Sequence, residues 1–203
     1  MKYPENITEI AALQPDYLGF IFWEKSSRFI DIASLPELPE TTKKVGVFVD
    51  ASVGEIRSKI EQYQLDIVQL HGNESASFCT EIKQLNVEII KVFSIGTNFD
   101  FSVLEEFLTI VDYFLFDTKG KLPGGNGVTF DWEILENYPF EKPFFLSGGI
   151  GINEVEAIKA FQKTKVAEKC IAIDVNSQFE TKPGLKNKIE LEKFKKLLYE
   201  YEI

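Results

Sequence analysis

The sequence predicts an α/β protein of the (β/α)8-barrel class whose first β-strand is missing from the chain as written. Three observations carry that expectation. Short apolar runs rich in β-branched and aromatic residues alternate with longer stretches whose apolar residues recur at helical spacing. Most of the runs are apolar at nearly every position, the pattern of parallel strands covered on both faces. A helical stretch leads the chain with no strand before it, and no G-x-G-x-x-G follows the first run. The choice therefore falls on a closed barrel over an open doubly wound sheet.

Taken in order, a helix is expected around residues 6–13, begun by Asn6 or Pro4. Seven strands are expected at 17–23 (YLGFIFW), 44–49 (KVGVFV), 66–71 (DIVQLH), 88–93 (EIIKVF), 113–117 (YFLFD), 143–147 (PFFLS) and 170–175 (CIAIDV). Amphipathic helices are expected at 53–63, 75–85, 101–110, 132–138, 153–162 and 188–201, with a shorter one at 31–38. No Ser/Gly/Pro-rich linker divides them, so residues 1–203 are expected to form one barrel domain.

Composition narrows the function. Of 203 residues, 22 are basic and 32 acidic, a net charge of −10 that repels nucleic-acid phosphates and acidic lipid headgroups, so neither is an expected partner. The two cysteines, Cys79 and Cys170, and the single histidine, His71, form no zinc cluster or CxxC pair, and no metal is expected. The first ten residues contain no signal-peptide core and no apolar run is long enough to span a bilayer, which points to the cytoplasm.

In a parallel barrel the carboxyl ends of the strands form the mouth, so the last residues of each run are read for chemistry. Asp117, after YFLF, is a partly desolvated carboxylate suited to general acid or base work, or a cap of the turn that follows. Gly124-Gly125-Asn126-Gly127 lacks the ending of a nucleotide P-loop; Gly125 there suits close backbone approach to a ligand. Ser147-Gly148-Gly149 and Asp174-Val175-Asn176-Ser177 follow the last two strands. Backbone N–H groups there can converge on a phosphate, or the loops are simply tight turns. Arg28 offers a fork for a carboxylate, although a lone loop arginine is commonly a solvated charge. His71 reads equally as an acid/base or as a hydrogen-bonded structural imidazole.

The ordered set of these motifs resembles the phosphoribosylanthranilate isomerases of tryptophan biosynthesis. It comprises LGFIF before SSRF at 18–29, KVGVFV at 44–49, VQLHGNE at 68–74, FDT at 116–118, GGNG at 124–127 with TFDW at 129–132, LSGG at 146–149, DVNS at 174–177 and KPG at 182–184. The resemblance implies an Amadori rearrangement of N-(5-phosphoribosyl)anthranilate to a carboxyphenylamino-deoxyribulose phosphate, with neither cofactor nor metal. It implies that Asp117 is the acid, that Arg28 holds the anthranilate carboxylate, and that Gly148, Gly149, Asn176 and Ser177 hold the phosphate, with His71 and Gly125 near the substrate. The family's base is a cysteine in a Lys-x-Cys-Gly motif ending the first strand. This sequence has no such motif, and residues 1–6 align just after it. The expectation is that strand and base both fall before residue 1 and that the chain as written is impaired. The alternative is a non-catalytic barrel that binds a phosphosugar or a partner, as monomer or homodimer. A smaller departure is Gln178, where the family often has glycine or a basic residue.

Overall fold

The computed structural model describes residues 1–118 and 131–199. Seven strands form one all-parallel sheet in chain order: β1 (Tyr17–Ile21), β2 (Lys43–Phe48), β3 (Ile67–Leu70), β4 (Glu88–Ile95), β5 (Tyr113–Thr118), β6 (Phe144–Leu146) and β7 (Cys170–Ile173). Around them lie α1 (Pro4–Ala11), α2 (Val53–Tyr63), α3 (Ala76–Lys83), α4 (Val155–Phe161) and α5 (Lys188–Tyr199). A small antiparallel hairpin, β8 (Glu180–Lys182) and β9 (Leu185–Lys186), follows β7; nothing in the apolar periodicity foretold it.

Local chemistry sets the element ends. Pro4 opens α1, where its missing N–H costs nothing. Ser52 and Ser75 cap α2 and α3 by accepting from the backbone N–H groups of Glu55 and Phe78. Three expected helices differ. Residues 101–110 and 132–138 form 3-10 segments, Phe101–Phe107 and Trp132–Asn137, whose capping Asp100 and Asp131 each accept from the N–H two residues on. The stretch 31–38 forms no helix; Pro36 and the nearby Pro39 remove the donors one would need.

Parallel pairing keeps alternate residues of neighbouring strands on one face. Gln69 stands beside Ile90, Leu115 beside Val92 and Phe145, and Ala172 beside Phe145. The inward set Val45, Ile67, Ile90, Val92, Leu115 and Phe145 forms a separate buried cluster inside the sheet. The opposite set, including Phe20, Phe48, Phe114, Phe116, Phe144 and Leu146, packs against the helices in the larger core. Aromatic rings dominate that layer: Phe116 lies 5.0 Å from Phe144 and 5.4 Å from Tyr138, centroid to centroid.

β1 and β7 stand at the two ends of the sheet. The α-amino group of Met1 donates to Gly19 O of β1 at 2.6 Å; burial, then Lys186, pushes its pKa down to about 5.

Phe114 is fully buried near the amino end of β5, 5.5 Å from the ring of Phe93 and at the other end of the strand from Asp117. Phe114→Ala is expected to cost about 3–5 kcal/mol, read as a lowered urea midpoint at unchanged slope.

Candidate active site

The two-residue period that fills the sheet interior also aims the polar residues at the strand ends. Continuing the inward positions past Ile67, Leu115, Phe145 and Ala172 gives His71, Asp117, Ser147 and Asp174. All four line one cavity of about 410 Å³, together with Arg28 and Asn176. The cavity runs from this mouth down between β1 and β7, past Ile21, Ile173 and Leu18.

Asp117 is 5 % exposed and is the penultimate residue of β5. Its Oδ1 accepts from the backbone N–H of Thr118 at 2.8 Å, and its Oδ2 lies 3.5 Å from His71 Nε2. That imidazole nitrogen is buried and has no hydrogen-bond partner among the described residues. A side chain at Gly148, which sits at φ +97°, would put its Cβ 2.5 Å from Thr118 N and 2.8 Å from Asp117 Oδ1, so only glycine fits against the carboxylate.

Asp174 is the functional-looking side chain that sequence reasoning passed over. Only the loop it begins was singled out, although its place two residues beyond inward Ala172 marks it. Ser147 Oγ donates to its Oδ2 at 3.1 Å. Burial, then the charge of Asp117, pushes its pKa above the ordinary carboxylate value of 3.8.

The His71 loop rests on a buried ion pair. Lys91 Nζ, on the outward face of β4, donates to Glu74 Oε2 at 2.9 Å and to Gly72 O at 2.9 Å, and the two side chains are only 4 % and 3 % exposed. The Glu74 carboxylate also accepts from the backbone N–H of Gly72 and of Asp50, joining the ends of β2 and β3 to the middle of β4. His71 itself is tied back by its N–H to Phe48 O at 2.8 Å.

Arg28 reaches the cavity with its guanidinium already oriented. Nε donates to Glu180 Oε2 at 2.8 Å and to Oε1 at 3.1 Å, and Nη2 lies 2.8 Å from Oε2. Across the cavity Gly148 and Gly149 have φ of +97° and +68°, and Asn176 precedes a 3-10 turn beginning at Ser177. Lys186, a second residue missed from the sequence, donates to Asn176 O at 2.9 Å and to the Asn176 amide oxygen. Gln178 packs over Gly151, where an added Cβ would meet Gln178 Cβ at 3.1 Å. Gly125 falls outside the described residues.

Neither cysteine serves this mouth. Cys79 is buried in α3 and burial pushes its thiol up to about 11; Cys170 begins β7 at the opposite end of the strands and burial pushes it up to about 12. Among the described residues no three His, Cys, Asp or Glu side chains gather as metal ligands, and no helix is long and apolar enough to cross a membrane.

A parallel sheet wrapped by helices, with a carboxyl, a guanidinium and two glycine or small-residue loops gathered at its carboxyl end, defines a (β/α)8-barrel enzyme. The family model for N-(5'phosphoribosyl)anthranilate (PRA) isomerase matches residues 1–197. The chain is 43 % identical over 199 residues to the N-(5'-phosphoribosyl)anthranilate isomerase of Parabacteroides distasonis, covering 96 % of this chain and 88 % of that one. It is 38 % identical over 203 residues to that of Rhizobium leguminosarum, with 96 % and 89 % covered. Among solved structures, phosphoribosyl anthranilate isomerase from Thermotoga maritima superposes with TM-score 0.81 at 28 % identity, over 98 % of this chain and 95 % of that one. Another, solved with reduced 1-(o-carboxyphenylamino)-1-deoxyribulose 5-phosphate, superposes with TM-score 0.78 at 26 % identity, over 98 % and 94 %. The chain belongs to the N-(5'-phosphoribosyl)anthranilate isomerase family, the isomerases of tryptophan biosynthesis.

Two expectations follow from this geometry. Because the folded-state pKa of Asp174 is raised, its contribution to stability is full below the unfolded value of about 3.8 and is lost as pH rises through the folded value. Asp174→Asn is expected to remove that decline, read as a flatter dependence of the urea midpoint between pH 4 and 7. Lys91→Met leaves Glu74 charged and buried without its partner, and is expected to cost about 3–5 kcal/mol in the same unfolding assay.

Proposed function

We propose that the site performs the Amadori rearrangement of N-(5'-phosphoribosyl)anthranilate with Asp117 as general acid, Arg28 on the anthranilate carboxylate, and the loops at Gly148-Gly149 and Asn176-Ser177 on the phosphate. The single observation that carries the reading is the convergence of all these groups on one cavity at the carboxyl ends of the strands.

The chemistry follows from the bonds that must change. Asp117 gives its proton to the furanose ring oxygen as the C1–O bond breaks with its electron pair going to oxygen. The anilino nitrogen lone pair forms C=N in compensation. Loss of the proton at C2 then gives the enamine-enol, which tautomerises to the C2 ketone with a methylene at C1. The backbone N–H of Thr118 fixes one oxygen of Asp117, and its other oxygen lies 3.5 Å from His71 Nε2. The proton at C2 goes to a base other than Cys79 or Cys170, whose thiols are remote and held protonated by burial. Arg28 suits a planar carboxylate because its fork donates two parallel N–H bonds. The glycine loops suit a phosphate because they present backbone N–H groups without side chains in the way.

The reading extends to the surroundings: a phosphosugar as the small-molecule ligand, a cytoplasmic setting, and a monomer or homodimer. The non-catalytic binding barrel is separated from the enzyme by turnover alone. Asp117→Asn is expected to lower kcat/KM by about 10²–10⁴-fold in an assay following loss of phosphoribosylanthranilate fluorescence. Affinity for the reduced product analogue should change far less. Equal turnover by the variant would remove Asp117 from the acid role, and binding without any turnover by the unaltered chain would favour the binding barrel.

A further inference from the structure

We propose that Glu180 is a positioning residue shared by the two ends of the substrate, orienting the carboxylate-binding cation and the phosphate-binding loop from one buried carboxylate. The inference rests on the roles given above to Arg28 and Asn176.

Glu180 begins β8, its side chain is 4 % exposed, and it does not line the cavity. Four donors nonetheless converge on it: Arg28 Nε and Nη2, Lys186 Nζ at 2.9 Å from Oε1, and the backbone N–H of Gly184 at 3.0 Å from Oε1. Arg28 and Lys186 line the cavity from these anchored positions. Lys186 extends the chain of contacts to Asn176, bonding both its backbone and its side-chain oxygen.

The hairpin itself is pinned. Gly184 makes the β8–β9 turn at φ +81°, and Asn6 of α1 grips the Lys186 backbone through both groups, Nδ2 to Lys186 O at 2.9 Å and Oδ1 from Lys186 N at 2.7 Å. Arg28 and Lys186 set two positive charges against the one negative charge of Glu180, beside a site for a ligand with an anionic group at each end. Burial raises the Glu180 pKa, but the Arg28 hydrogen bonds and the charge of Lys186 more than offset this and hold it below the ordinary value. A neutral isostere would therefore lose its grip on both cations at once.

Anthranilate and inorganic phosphate, titrated separately by calorimetry, probe the two ends. Glu180→Gln is expected to weaken both probes about tenfold. Arg28→Lys is expected to weaken anthranilate more than phosphate, and Lys186→Met phosphate more than anthranilate, with a smaller effect on the other probe through the shared carboxylate. If Glu180→Gln leaves either probe unchanged, or lowers only the melting temperature, the proposal falls. It falls too if Lys186→Met weakens anthranilate as much as phosphate. Failure of the unaltered chain to bind either probe would overturn the underlying reading of Arg28 and Asn176, before any substitution is made, and the proposal with it. Should Glu180→Gln not fold, Glu180→Asp keeps the charge but withdraws it by one methylene. It is expected to weaken both probes, and unchanged affinity for either overturns the proposal.

Discussion

The two-residue period of the parallel strands is the constraint on which the rest depends. One register places Val45, Ile67, Ile90, Leu115, Phe145 and Ala172 inside the sheet and, two or four residues further along, His71, Asp117, Ser147 and Asp174 at its mouth. A slip of one residue in β5 would send Asp117 into the phenylalanine layer and Phe116 into the cavity. Burial of the aromatic layer therefore enforces the chemistry: the apolar cost of a wrong register is what keeps the acid where it can act.

Charges brought that far from water need partners, and the fold meets the need with carboxylate hubs. Glu74 gathers Lys91 and two backbone N–H groups beneath the histidine loop; Glu180 gathers Arg28, Lys186 and a backbone N–H beneath the opposite side of the mouth. Neither lines the cavity; Glu180 bonds directly to Arg28 and Lys186, which do, whereas Glu74 fixes Gly72, next to the cavity-lining His71. Asp174 differs, because it faces the cavity near another carboxylate and accepts its hydrogen bond from a hydroxyl, that of Ser147.

The parallel strands were legible because a strand covered on both faces must be apolar at nearly every position, and runs such as FFL at 144–146, with Pro143 before and Gly148-Gly149 after, are too short and too tightly bounded for a helix. Asp117 and the small-residue loops were legible because strand ends are where such a barrel does its work. The 3-10 segments were not, since apolar spacing over six or seven residues fits an α-helix equally well and the capping aspartates tip the choice. The hairpin and Lys186 were not, because a two- or three-residue strand has no period and a lysine's partners, here 6 and 10 positions away in sequence, leave no pattern. Arg28 was singled out in the sequence, but its tether was not: Glu180 lies 152 positions away, and only the folded chain brings the two together.

The Glu74 hub also sets a clock for the mouth. The amide protons of Asp50 and Gly72 are spent on a carboxylate that is almost out of reach of solvent, and the same carboxylate is locked to Lys91. Both amides are therefore expected to exchange together, through one opening that loosens the ends of β2 and β3 at once, more slowly than those of a surface loop.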